Sequence, residues 1–286
     1  MIENRVQTLL EKYEIALNSM RPVSGGDIND SYQIHTHSGE TWFLKLNRKN
    51  APKEIITTEY ESLILLKKYG VKNIPGSFTL LENKTTAGLL IEYYESSPTN
   101  NNWDQFFSDL ANMHKTSGEQ FGGKNNYIGR LPQKNTEHHS WKDFYITCRL
   151  EPQIQTAIDQ KRLSLSVISK VNSLFHRIKD TCPEEKPSLI HGDLWGGNIL
   201  ITQKKTLLID PCAHFGHREM DFAMMDLFGG FPPVSSQTSY NDIYPIEPGF
   251  DLRKEMYQLY YLLVHLNIFG LGYLSRVEQI IHKFSV

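Results

Sequence analysis

The chain has 286 residues, with 30 basic and 32 acidic side chains and a formal net charge of -2. Hydrophobic residues make up 40% and charged residues 22%, which excludes a disordered chain and gives enough length for a large core or two lobes. Near-neutrality without a basic block argues against nucleic acid as a partner, and no apolar run approaches the roughly 20 residues of a membrane span. Cys148, Cys182 and Cys212 are scattered with no Cys-x-x-Cys pair, so neither a disulfide framework nor a zinc site is expected, and a cytoplasmic location is the default.

Met1 to Leu17 carries a charged amphipathic pattern (Val6, Leu9, Leu10, Tyr13) and reads as a helix, not a signal peptide. Ser24-Gly25-Gly26-Asp27 follows, and its glycines can let backbone amides approach a phosphate closely, although in isolation a plain turn is the better account of them. Tyr32-Gln33-Ile34 and Trp42-Phe43-Leu44-Lys45-Leu46 alternate around His37-Ser38-Gly39-Glu40 and predict two strands joined by a tight turn. Lys45 sits in the second strand, where a lysine usually points outward but can neutralise nucleotide phosphates. Pro52 to Tyr69 predicts a helix with Ile55, Ile56, Tyr60, Leu63, Ile64 and Leu66 on one face; Glu59 lies beside that face, able either to pair with Lys45 or to stay solvated. Strand signals at Ser77–Leu81 and Gly88–Tyr93 complete a small sheet.

The acidic-aromatic step Glu92-Tyr93-Tyr94 and then Ser96-Ser97-Pro98 place a division near Glu95, giving lobes 1–95 and 96–286. Trp103 to Lys115 has helical spacing, with His114 read as a packed core histidine. The polar, glycine-rich stretch from Ser117 to Ser140 is long for a structureless loop, which points to a functional one. Helices are expected over Trp141–Ile158 and Leu163–Lys179, from about Gly216 onward, and over Leu252–Leu266 and Gly272–Phe284.

The most informative stretch is His191-Gly192-Asp193-Leu194-Trp195-Gly196-Gly197-Asn198, flanked by Leu189-Ile190 and Ile199-Leu200-Ile201. A second apolar run, Thr206 to Ile209, ends in Asp210-Pro211. Taken singly, each of these is an ordinary turn or strand end. Together, His-x-Asp-x-x-x-x-Asn and a later strand-end Asp form the phosphotransfer constellation of kinases. Phosphoryl transfer needs a carboxylate to orient and deprotonate the attacking hydroxyl, and oxygen donors to hold magnesium on the phosphates.

With Ser24-Gly25-Gly26, Lys45-Leu46-Asn47, Glu59, the Phe121 to Gln133 loop, His191 to Asn198, Ile209-Asp210-Pro211, Gly216-His217-Arg218-Glu219 and Leu227-Phe228-Gly229-Gly230-Phe231 in place, the chain resembles the fructosamine (ketosamine) kinase family. That family belongs to the aminoglycoside phosphotransferase-like branch of the kinase fold. The resemblance implies an α+β, two-lobed, protein-kinase-like fold, with a small antiparallel sheet and helix before a larger, mainly helical lobe. It implies ATP and Mg2+ as cofactors, Asp193 as catalytic base, Asn198 and Asp210 as metal ligands, and Lys45 with its partner Glu59 on the phosphates. Gly25 and Gly26 would cover the nucleotide, and Glu92, Tyr93 and Tyr94 would form the adenine hinge. Trp195 and His217 would line the acceptor pocket, and Asp221 would brace the catalytic loop. The reaction implied is phosphorylation of the 3-hydroxyl of a ketosamine, either free or as glycated lysine on a protein, leading to deglycation. A kinase for another small hydroxylated amine (aminoglycoside, choline, homoserine) and a nucleotide-binding pseudokinase module remain open. Departures from the family are Asp27 where many relatives carry cysteine, Cys212 after Asp-Pro, and His214-Phe215. The oligomeric state cannot be read from the sequence.

Overall fold

A computed structural model describes residues 2–23, 28–97, 102–233 and 237–285. In chain order these form α1 (Ile2–Glu11), β1 (Leu17–Pro22), β2 (Asp30–Thr36), β3 (Thr41–Leu46), α2 (Glu54–Lys68), β4 (Phe78–Glu82) and β5 (Ala87–Glu92). Then come α3 (Trp103–Lys115), β6 (Asn126–Ile128), β7 (Leu131–Gln133), α4 (Trp141–Phe144), α5 (Glu151–Asp159) and α6 (Ile168–Thr181). Short strands β8 (Ser188–Ile190), β9 (Ile199–Ile201), β10 (Thr206–Leu208) and β11 (His214–Gly216) lead into α7 (Glu219–Phe228), α8 (Thr238–Asn241), α9 (Phe250–Phe269) and α10 (Leu274–Phe284). The chain divides into two compact units, Met1–Asn101 with Leu200–Asp210, and Asn102–Ile199 with Pro211–Val286.

The first unit is built on an antiparallel sheet in the order β1-β2-β3-β5-β4. Side chains alternate across a pleated strand, and here the two faces have different fates. Tyr32, Ile34, Leu44, Leu46 and Leu90 point to one face and form a core with Leu81 and with Val6, Leu9 and Leu10 of α1. Lys45 points to the other face, where α2 contributes buried Ile55, Ile56, Glu59, Leu63 and Leu66. Gly88 opposite Leu46 lets α1 approach: a β-carbon at Gly88 would lie 2.9 Å from Leu9 Cδ2. The β9/β10 hairpin belongs to this unit. Ser97 N donates to Ile201 O (2.7 Å) and Leu208 N to Asn73 O (2.6 Å).

The second unit is mainly helical, with α9 running through its core; Met256, Tyr257, Leu259, Tyr260, Leu263 and Leu266 are all at most 1% exposed. The expected helix from Trp141 is interrupted. After α4 the turn widens over Tyr145–Leu150 before α5 resumes with Pro152 in its first turn, where the missing N–H costs least. The long connection from Ser117 to Ser140 is not structureless: it holds the β6/β7 hairpin and pins itself by Gly122 N to Phe215 O (2.7 Å) and Phe215 N to Gly122 O (3.1 Å). Strand β1 escapes the sequence pattern because it is an edge strand with no fully buried residue, and it closes on Pro22.

Truncating Leu9 to alanine should test the seam between α1 and the sheet. With Leu9 fully buried, Leu9→Ala should lower unfolding stability by about 2–5 kcal/mol. A urea midpoint equal to the wild type's would show that α1 is not part of the folded core.

Candidate functional site

In the first unit, β3 and α2 carry the two halves of an ion pair. Lys45 Nζ donates to Glu59 Oε2 at 2.7 Å and lies 2.9 Å from Asp210 Oδ2, just past the end of β10. Lys45 and Glu59 are buried, whereas the Asp210 side chain is 42% exposed. Burial alone would weaken the ammonium, but the Asp210 and Glu59 carboxylates outweigh it, so Lys45 stays charged with its pKa above the ordinary value. Burial raises Glu59 in turn, helped by Asp210 and opposed by Lys45, to about 7. Asp210 has φ 54, a left-handed conformation uncommon outside glycine but tolerated by aspartate. One buried cation thus faces two carboxylates, one of them solvent-accessible. At the end of β5, the Tyr94 hydroxyl donates to Glu92 Oε2 (2.7 Å) and accepts from Gly76 N (2.9 Å), while Tyr93 between them is half-buried. Gly25 and Gly26 lie outside the described residues.

In the second unit, β8 and β11 pair antiparallel, Ile190 opposite His214, and deliver the loop that starts at His191. Asp221, in the first turn of α7, accepts His191 N at 2.8 Å on Oδ2 and Gly192 N at 2.9 Å on Oδ1. His114 Nε2 lies 3.2 Å from the same Oδ2, and its Nδ1 meets the Tyr240 hydroxyl at 2.9 Å. Burial would raise the Asp221 carboxyl, but the His114 hydrogen bond, the nearby imidazoles and the His191 amide hold it below its ordinary value. From the other side the Tyr261 hydroxyl donates to Gly192 O (3.1 Å). Gly192 has φ +84, and a β-carbon there would stand 2.6 Å from Cys212 O, so glycine is required on both counts. Asp193 follows, half-buried. Asn198 Nδ2 donates to Asp193 O (2.8 Å) and Oδ2 (3.0 Å). Because a carboxylate only accepts, these bonds fix the amide's orientation and turn its oxygen away from Asp193.

Trp195 is 38% exposed, its ring centroid 6.2 Å from that of Phe228. The glycines after it are packed, not merely permissive. A β-carbon on Gly197 would sit 2.3 Å from the Trp195 ring, and one on Gly230 would sit 2.5 Å from Gly196 Cα. Gly196 N also donates to Gly229 O (3.0 Å). Backbone therefore lies on backbone where the two Gly-Gly pairs meet.

His217 takes a different place from the one expected. It has no exposure, and its ring packs 5.5 Å from Trp141 and 5.5 Å from Tyr257, so in this arrangement it presents no surface to an acceptor. Its Nδ1 accepts from Glu219 N (3.2 Å), which leaves the proton on Nε2, 3.8 Å from Glu185. The residues that sequence reasoning passed over are buried polar ones. Arg149 is 1% exposed and donates to Lys134 O (2.6 Å), Cys148 O (3.0 Å) and His214 Nε2 (2.9 Å). Its guanidinium also covers the Phe144 ring at 4.5 Å. An arginine within a mainly apolar stretch (Phe144-Tyr145-Ile146-Thr147-Cys148-Arg149-Leu150) was the available signal. Among the described residues no group of three or more His, Cys, Asp or Glu side chains forms a metal cluster, and no helix is long and apolar enough to cross a membrane.

A family model for fructosamine kinase matches residues 1–285. The chain belongs to the fructosamine kinase family. An Enterococcus faecium protein assigned as a ketoamine kinase is 37% identical over 284 residues, 98% of this chain and 99% of that one. The Mus musculus ketosamine-3-kinase is 27% identical over 312 residues, covering 98% of this chain and all of its own. A solved Thermobifida fusca structure, assigned as a fructosamine-3-kinase, aligns with TM-score 0.82 and 28% identity over 98% of this chain and 96% of that one. A macrolide 2'-phosphotransferase from Brachybacterium faecium shares the fold alone, with TM-score 0.62 and 13% identity over 98% of both chains. As a member of this family the chain is an ATP-dependent kinase with the α+β kinase-like fold.

Two buried imidazoles give the second unit an acid limit. Burial first and then the Arg149 charge hold His214 down to about 3: its Nδ1–H donates to Cys212 O (2.9 Å), and Nε2 faces a guanidinium that a second proton would oppose. Burial first, with Arg218 and Arg253, holds His217 down to about 4. Between these values and the unfolded value near 6.5, the unfolded chain binds protons that the folded one refuses, so stability falls as pH falls. At about 1.4 kcal/mol per unit, the two rings together should remove roughly 5 kcal/mol between pH 6.5 and 4.5. A denaturant midpoint unchanged across that window would mean the rings protonate in place.

Proposed function

We propose that this kinase transfers the γ-phosphoryl group of ATP to the 3-hydroxyl of ketosamines, and that deglycation follows. The observation that carries the reading is the position of Asp193. It sits half-buried on a loop whose preceding amides are fixed by Asp221, its carboxylate is oriented by Asn198, and an exposed tryptophan stands two residues on. A carboxylate held this way can take the proton of a sugar hydroxyl as the oxygen attacks phosphorus, the new O–P bond forming as the bond to the ADP leaving oxygen breaks. Family membership and the names of its relatives support a ketoamine as acceptor. Trp195 would stack on the sugar.

The phosphate side is proposed for the first unit. Lys45, kept charged by its two carboxylates, would lie on the nucleotide phosphates, with Glu59 as its tether and Gly25 and Gly26 over them. Glu92, Tyr93 and Tyr94 would form the adenine hinge through backbone groups. The residues present fit Mg2+: Asp210 offers an exposed carboxylate and Asn198 an amide oxygen turned from Asp193, the hard oxygen donors magnesium takes. Bound to them, magnesium would neutralise charge on the phosphates. Free ketosamines and glycated lysines on proteins both satisfy this chemistry.

The product has its own chemistry. Phosphate on O3 lies beside the C2 carbonyl, so enolisation toward C1 expels phosphate from C3, and hydrolysis of the resulting imine frees the amine. With Mg-ATP and fructosyl- or ribulosyl-lysine, a phosphorylated product should form and, once the protein is removed, slowly release inorganic phosphate and lysine. A stable ester, or a higher kcat/KM for an aminoglycoside or choline, would overturn the ketosamine reading. Asp193→Ala should retain nucleotide binding and lose about 100- to 10,000-fold in turnover, and single-turnover transfer near the wild-type rate would remove Asp193 from the role of base.

A further inference from the structure

Trp195 is the first ring of an aromatic series that runs out of the loop along the second unit. Its centroid is 6.2 Å from Phe228, and Phe228 stacks on His265 at 4.4 Å with 29° between planes. His265 lies 5.4 Å from Phe269 and 5.1 Å from Tyr273. The series begins two residues after Asp193 and ends at surface: Phe269 is 52% exposed and its neighbour Leu271 63%, among the most exposed large hydrophobics of the described residues. Most aromatics of this unit are buried, whereas this series has an exposed ring at Trp195 beside the catalytic loop and another at Phe269, joined through the part-buried Phe228 and His265, and exposed rings anchored in this way are the mark of a binding surface.

We infer that the outer rings Phe269 and Tyr273 form a subsite for the substituent on the acceptor's amine, and that they favour amines bearing an aromatic or long apolar group. The inference rests on the ketosamine reading above and adds the part of the substrate that reading leaves open. A ketosamine has two ends, a sugar that must reach Asp193 and an amine substituent that must go elsewhere. The aromatic series is continuous with the loop and opens to solvent, so a substituent can lie on it without a length limit. Charge fits as well, because the secondary amine of a ketosamine is protonated at neutral pH and cations are drawn to ring faces. His265 adds no opposing charge. Its Nδ1 lies 2.8 Å from the Tyr261 carbonyl, which can only accept, so Nδ1 carries the proton and Nε2 is left as an acceptor. Burial also holds this imidazole below its ordinary pKa.

Two acceptors separate the outcomes: the ketosamine of benzylamine and the same sugar with an unsubstituted amine. The wild type should prefer the benzyl compound. Phe269→Ala, at an exposed position outside the catalytic loop, should lower kcat/KM for the benzyl compound about 5- to 15-fold, mainly through KM, and leave the unsubstituted one within about twofold. Phe269→Trp should restore the benzyl preference. Equal losses on both acceptors, or no loss on either, would overturn the subsite and leave the ketosamine reading intact. If the wild type phosphorylates neither acceptor, the ketosamine reading falls and the subsite falls with it.

Discussion

The second unit depends on one buried carboxylate. Asp221 accepts the amides of His191 and Gly192, one on each oxygen, from the first turn of α7, where backbone donors already favour negative charge. The two residues it holds come immediately before Asp193, so α7 decides where the proposed base stands. His114 and Tyr240 extend the support into α3 and α8, and because none of the three side chains is exposed beyond 1%, solvent cannot substitute for any of these bonds. Holding the amides from the α7 side leaves the Asp193 carboxylate to Asn198, whose amide donates to it, and leaves Trp195 partly exposed two residues on.

The first unit solves a different problem, keeping a charge available inside a core. Lys45 sits mid-strand at 7% exposure, a position where an unpaired ammonium would tend to lose its proton. Two carboxylates prevent this, but one cation cannot satisfy two anions fully: burial drives Glu59 upward, and its Oε1 has no hydrogen-bond partner. The cluster therefore carries one more negative than positive charge, with the excess divided between a buried and an exposed carboxylate.

Much of this was legible because chemistry was tied to local pattern. Lys45 stood on an alternating strand, Glu59 beside the apolar face of a helix, and Asp193, Asn198 and Asp210 at fixed spacing around short apolar runs. The bracing role of Asp221 came from the family resemblance and not from any local pattern. What stayed hidden was relational. Nothing in the sequence distinguishes a histidine that lines a pocket from one sealed between Trp141 and Tyr257, as His217 is. β1 carries too little apolar alternation to betray an edge strand, and the β6/β7 hairpin has strands of three residues, below the length at which periodicity speaks. The contact between Gly196 and Gly230 is invisible in sequence because glycine there is selected by what lies across from it, not by its own turn.

The membership of the β9/β10 hairpin has a consequence for how the protein is made. The first unit contains Met1–Asn101 and Leu200–Asp210, so a ribosome finishes nine-tenths of it about a hundred residues before the last piece is synthesised. At about 5–20 residues per second, that interval is of the order of ten seconds. Throughout it, Asn73 O and Ser97 N lack the partners that Leu208 and Ile201 later supply, and Lys45 lacks one of its two carboxylates. A nascent sheet can form in that time, but Lys45 is paired with Glu59 alone until Asp210 emerges, so the three-membered cluster is completed after most of the second unit's early helices have already left the ribosome.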